Sequence, residues 1–205
     1  MKNKNNPGII NNSEIIKFLK NNVRERVQRE RNNLPVNYRE KSSRAIAKKF
    51  LNCSFYTVSN NILIYYPFRN EVETTLIIED ALKDNKNIIL PRVHNKELEL
   101  YYVTNLKEQL KAGAYGIMEP VASRCKPAKI SDVDLVVVPG VSFDKKFYRL
   151  GYGGGYYDKI LSRIPKKVKK IALCFDIQVV DSLPVSAHDI KVDMIITESK
   201  IYRSL

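Results

Sequence analysis

Tryptophan is absent from this 205-residue chain, histidine occurs twice, cysteine three times and glycine eight times. Each scarcity excludes something. Cys53, Cys125 and Cys174 are odd in number, far apart and without a C-x-x-C pair, which argues against a disulfide framework or zinc site and for reduced, structural thiols. His94 and His188 show neither metal-ligand spacing nor a partnered nucleophile, and Ser142 in GVSFD is not in a G-x-S-x-G elbow, so none of the three is assigned chemistry. Long hydrophobic runs are missing too. Nothing approaches the ~20 apolar residues that cross a bilayer, and the opening MKNKNNPGIINN lacks the apolar core of a secretory signal. A cytoplasmic protein with no membrane partner is expected.

Acidic residues are scarce at one end. Residues 1–50 carry 13 Lys and Arg against four Glu and no Asp, so +9 of the net charge of +13 lies in that quarter. An anionic partner is implied: nucleic acid, a membrane surface or a small polyanion such as a nucleotide. An RNA-binding helix would interleave aromatics with its basic residues, yet residues 13–35 contain only Phe18, so no nucleic-acid partner is expected.

What the chain does have is apolar content, 44% spread along its length, enough for a folded core. We expect a flexible Asn/Lys-rich tail over residues 1–12 and one catalytic domain over 13–205. Ile16, Leu19, Val23 and Val27 recur at helical intervals behind Ser13, a suitable N-cap, predicting an amphipathic helix over 14–32 that ends at Leu34-Pro35. Further helices are predicted at 40–52, 73–84 and 155–164. Between them lie β-branched runs apolar on both faces: ILIYY at 62–66, NIILP at 87–91, DLVVVP at 134–139, KIALCF at 170–175 and DMIIT at 193–197. Strands of this kind, alternating with helices, predict an α/β fold whose open sheet is mostly parallel with helices on both faces; LELYYV at 98–103 suits a strand nearer an edge. Ligands in such folds bind beyond the carboxyl ends of strands.

Half of the eight glycines fall within residues 151–155, in RLGYGGGYYD. Glycines there remove side chains and permit positive φ, so several backbone N–H groups can converge on an anion, with a helix start behind them and Arg149 beside them. The plainer alternative is a tight strand-to-helix turn. The segment is neither a Walker A loop nor G-x-G-x-x-G, since Tyr156 stands where the last Gly belongs. Asp158 sits where it could meet a divalent cation held on the same phosphates, and Asp193, at the mouth of DMIIT, is a possible second carboxylate. Lys20 and Arg24, four apart, share a helix face and could reach a triphosphate. Tyr65, Tyr66 and Phe68 followed by Glu71 offer aromatic walls and a carboxylate to a flat heterocycle with an N–H edge, and Glu119 adds an acid in a turn.

DLVVVPGVSFDKKFYRLGYGGGYYDKIL resembles the signature region of the 5-formyltetrahydrofolate cyclo-ligase family, and the likeness continues in K-x-x-x-R at Lys20 and Arg24, RNEVETT and YGIMEP, covering 20–198 in order. Asn70 and Met118 depart from the commonest family residues, and the leader before Lys20 is longer than usual. The resemblance implies an open, Rossmann-like fold similar to sugar-phosphate isomerase and CoA-transferase domains. It also implies ATP- and Mg²⁺-dependent closure of 5-formyltetrahydrofolate to 5,10-methenyltetrahydrofolate; an isomerase or CoA transferase of like architecture would need no ATP. By position it places ATP on Lys20, Arg24 and the run Arg149, Leu150, Gly151, Tyr152, Gly153, Gly154, Gly155, Tyr156 and Tyr157. The folate falls to Tyr66, Glu71, Tyr152, Gly153, Gly154, Gly155 and Tyr156, Mg²⁺ to Asp158 and Asp193, and the catalytic roles to Arg149, Tyr152 and Asp158. A monomer is expected, with the excess basic charge helping to capture a polyglutamylated folate tail.

Overall fold

The computed structural model describes residues 11–203. Its helices are α1 (Asn12–Asn32), α2 (Val36–Leu51), α3 (Ser54–Val58), α4 (Thr75–Lys83), α5 (Leu106–Gln109) and α6 (Tyr156–Leu161). The strands are β1 (Asn61–Leu63), β2 (Asn87–His94), β3 (Glu97–Val103), β4 (Leu110–Ala112), β5 (Met118–Pro120), β6 (Lys126–Ala128), β7 (Leu135–Val138), β8 (Ser142–Asp144), β9 (Arg149–Leu150), β10 (Lys169–Leu173), β11 (Val179–Val180), β12 (Met194–Ile196) and β13 (Ile201–Arg203). Most of the tail expected over 1–12 lies outside the described residues. Of its last two members, Asn11 caps α1 by accepting from the Ser13 N–H at 3.2 Å, so the helix starts earlier than a Ser13 cap would allow.

The main sheet has the order β13-β12-β10-β7-β1-β2-β3-β6. Its five central strands, β12, β10, β7, β1 and β2, are parallel, and each falls on one of the five runs that are apolar on both faces. LELYYV forms β3, antiparallel to β2 and one strand from the edge. Alternate side chains of the parallel strands point to opposite layers, as a period of two requires. Ile62, Ile88, Val137 and Leu173 pack with Phe50 of α2 and Ile77 of α4 on one face, while Leu63, Ile89, Val136 and Ala172 pack with Ile160 and Leu161 of α6 on the other.

Several elements are shorter than their apolar runs. β1 leaves the ladder after Leu63, with one further bond from Ile64 N–H to the Ile89 carbonyl at 3.0 Å, and Tyr65 and Tyr66 continue as irregular backbone. The stripe expected to dock α1 does so only at its end: Val27 is buried, whereas Leu19 is 44% exposed. Polar side chains anchor this helix instead, as described below.

β1 is flanked by β2, reached through α4, on one side and by β7 on the other. The chain therefore reverses its direction of travel across the sheet at the β1/β7 boundary, the kind of switch point beyond whose carboxyl ends open α/β sheets bind ligands. A small second sheet, β11-β8-β9, follows β7. It is fixed by the buried Gln178, whose Nε2 donates to the Gly140 and Val141 carbonyls at 3.1 and 3.0 Å and whose carbonyl accepts from Ser142 Oγ at 2.8 Å.

Candidate active site at the glycine turn

Arg149 is the pivot of the site. Its side chain is 4% exposed, pairs through Nη2 with Asp158 and donates through Nη1 to the Pro139 carbonyl at 3.1 Å, just past β7. Its Nε is buried without a hydrogen-bond partner among the described residues. A Cβ at Gly151 would lie 2.8 Å from Nη1, so glycine is needed for the guanidinium to pass. Gly153 and Gly155 hold φ of 101° and 70°, which side chains rarely adopt, and a Cβ on Gly154 would meet the Tyr156 ring at 2.9 Å. Two of the four glycines thus serve backbone angle and two serve space. Leu150 is buried in β9 beneath the turn. Gly155 is the N-cap of α6, a helix of only six residues, shorter than the 155–164 expected.

α1 crosses this turn and supplies cations. Arg24 Nε donates to the Gly151 carbonyl at 2.8 Å. Burial lowers the pKa of its guanidinium; the charges of Asp158 and Asp189 push it back up, and Arg149 lowers it further. Lys20 Nζ contacts both oxygens of Asp189, at 2.8 and 2.6 Å, and Ser186 Oγ at 3.2 Å. Asp189 is a residue that the sequence did not single out, since an acid in a loop more than 160 positions from its lysine carries no local signal.

The second half of the site lies in the β1 loop. Glu71 accepts from the Phe68 N–H at 3.0 Å and from the Tyr152 hydroxyl at 2.6 Å. Burial raises its carboxyl above the usual range, opposed by the Tyr152 hydrogen bond, the Arg31 charge and the Phe68 N–H. Burial and the Glu71 charge also push up the phenols of Tyr65, Tyr152 and Tyr157. Arg31, likewise unforeseen, donates through Nη2 to the Tyr152 hydroxyl at 2.8 Å. From the β4–β5 hairpin Tyr115 brings its hydroxyl within 3.4 Å of the Tyr156 hydroxyl. Glu119 lies in β5 rather than in a turn, buried, with the Val93 N–H donating to it at 3.3 Å.

Two expected residues stand apart. Asp193 lies at the amino end of β12, accepting from the Lys170 N–H at 2.8 Å and pairing with the Lys170 ammonium at 3.1 Å; the strands are parallel, so this is the end of the sheet opposite the glycine turn. The expectation that it joins Asp158 is corrected by that placement. The carboxylate that shares the surroundings of Arg24 with Asp158 is Asp189. Tyr66 packs against the α2/α4 layer and feels Glu73 and Glu79, while Tyr65 is the strand-end phenol that feels Glu71.

Among the described residues no group of three or more His, Cys, Asp or Glu could hold a metal ion by itself, and no helix is long and apolar enough to cross a membrane. What remains is a bare main-chain turn between a cationic helix face and a half-buried carboxylate. A sequence model of the 5-formyltetrahydrofolate cyclo-ligase family matches residues 16–198. The chain belongs to that family. It is 37% identical to Aquifex aeolicus 5,10-methenyltetrahydrofolate synthetase, whose NMR structure it matches with a TM-score of 0.81 over 90% of this chain and 92% of that one. The 5-formyltetrahydrofolate cyclo-ligase of Mus musculus is 31% identical over 175 residues, covering 80% of this chain and 86% of the relative. The probable cyclo-ligase of Schizosaccharomyces pombe is 30% identical over 180 residues, covering 81% and 88%. Family membership makes the chain a ligase of folate one-carbon chemistry.

Proposed function

We propose that this ligase closes the ring of 5-formyltetrahydrofolate with ATP and Mg²⁺, and that both substrates meet at the glycine turn. The observation carrying this reading is the joining of the two half-sites through one short segment: Arg24 binds the Gly151 carbonyl, and the neighbouring Tyr152 reaches Glu71. A formamide carbonyl is a poor electrophile, and attack by N10 must expel its oxygen. Transfer of the γ-phosphoryl group breaks its bond to ADP and makes one to the formyl oxygen; N10 then adds to the formyl carbon, phosphate departs, and the N10 proton is lost. The protein's part is positioning and charge neutralisation.

Lys20, Arg24 and Arg149 donate to phosphate oxygens, with the N–H groups between Leu150 and Tyr157 around them. Glu71 orients the heterocycle, and Tyr152 and Tyr156 flank the formyl group. For Mg²⁺ the donor set fits two carboxylates completed by phosphate oxygens and water: Asp158, whose side chain is 48% exposed, and Asp189, at 20%. The ion neutralises phosphate charge when bound. We also take the protein to be a monomer and, in keeping with its three buried free thiols, cytoplasmic.

Incubating the purified chain with 5-formyltetrahydrofolate while following the absorbance of the methenyl product tests the reading. Product should accumulate only when ATP and Mg²⁺ are both present, in step with ADP. Product formed without ATP would overturn it.

A further inference from the structure

Arg31, in the last turn of α1, is 2% exposed. Its Nη2 donates to Tyr152, while Nε and Nη1, both buried, have no hydrogen-bond partner among the described residues. The Tyr152 ring lies against the guanidinium, 5.7 Å from its central carbon to the ring centroid. A buried charge with unused donors is unfavourable unless something completes it, and each such group in a folded protein asks for an explanation. The Tyr152 hydroxyl accepts from Arg31 and donates to Glu71, so one oxygen satisfies a donor and an acceptor at once.

We propose that Arg31 is a specificity-determining residue. With Glu71 it forms a paired donor and acceptor, capped here by Tyr152, that reads the lactam edge of the substrate's 2-amino-4-oxo ring, where N–H and C=O are neighbours. This rests on the folate reading given above. An ionised carboxylate only accepts and a guanidinium only donates, so whatever displaces the Tyr152 hydroxyl must supply both partners side by side. The lactam does so, its N–H going to Glu71 and its carbonyl to the Arg31 Nη2 that the hydroxyl vacates. A 2,4-diamino ring instead sets an amino group against the guanidinium, donor against donor. Tyr152 is able to leave: it is 41% exposed and stands between Gly151 and Gly153, the latter at a φ of 101°.

Binding of 5-formyltetrahydrofolate and of its 4-amino-4-deoxy counterpart to the full chain tests the assignment. The wild-type protein should prefer the 4-oxo compound by about 10- to 100-fold, as expected where a buried donor would be left facing the wrong group. Arg31→Met should flatten the ratio by weakening the 4-oxo compound alone, leaving KM for ATP unchanged; Arg31→Lys, which keeps a charged donor, should restore part of the preference. Tyr152→Phe, lacking the capping hydroxyl, should retain the preference. A folded Arg31→Met protein with the wild-type ratio would overturn the proposal, and should that variant fail to fold, a wild-type ratio near one would do so. Failure of the wild-type chain to cyclise 5-formyltetrahydrofolate is a different result, overturning the folate reading itself.

Discussion

Removing the Asp158 carboxylate would leave the Arg149 guanidinium, 4% exposed, without its only acidic partner among the described contacts. Breaking a fully buried pair is strongly destabilising, but Asp158 is about half exposed and solvent screens part of the loss, so Asp158→Ala should cost about 1–2 kcal/mol in urea unfolding. Turnover should fall much further, by about 10²-fold or more, because charge facing the transferring phosphoryl group matters most as it develops. An unchanged kcat at saturating substrates would remove Asp158 from the site. Glu71 gives a pH prediction. Its folded-state pKa is raised, so it binds its proton more tightly folded than unfolded; that contribution to stability is complete at low pH and lost as pH rises through the raised value. Wild-type stability should therefore decline relative to Glu71→Gln as pH climbs from 4.5, the ordinary glutamate value, and parallel Tm-against-pH curves would contradict the burial argument. Arg149, Asp158 and Glu71 were legible because each flanks a motif. Arg31 and Asp189 were not: a basic residue in a helix's last turn passes for a dipole partner, and Asp189 gains meaning only when α1 folds over it.

At the scale of elements, the strands of the parallel core could be read because burial on both faces writes continuous β-branched runs, as in LVVV of β7. Their lengths could not, since the residues that leave the ladder at Ile64 are as apolar as those that stay. β8, β9 and β11, of two or three residues each, are too brief to show any period. α1 misled in another way, its apolar stripe being partly exposed while Lys20, Arg24 and Arg31 make the contacts. The β7–β8 connection offers a stability test. A Cβ on Gly140 would come within 2.5 Å of the Phe143 ring, itself 0% exposed and packed against the α6 layer. Gly140→Ala should therefore cost about 1–3 kcal/mol, the usual penalty for overpacking. Denaturation at the wild-type midpoint would mean that the ring can retreat.

Over the whole molecule, charge is the property with the longest reach. The excess of +9 in residues 1–50 includes the helix that crosses the site, placing positive potential where an anionic tail would arrive. A polyglutamylated substrate should show a lower KM than the monoglutamate at ~0.1 M salt, and the gap should close toward ~1 M as the screening length shrinks from about 10 Å to about 3 Å. Equal KM values at both ends would mean that the tail is not captured electrostatically. The sheet order has a temporal consequence as well. Residue 62 of β1 pairs with residue 135 of β7, and β7 in turn with β10, so the central strand waits for more than seventy later residues before its second neighbour exists. During synthesis from the amino terminus, β1 and β2 can come together early, whereas the junction beneath the glycine turn must wait until much of the chain has emerged from the ribosome. Catalytic competence should therefore be among the last properties a nascent copy acquires.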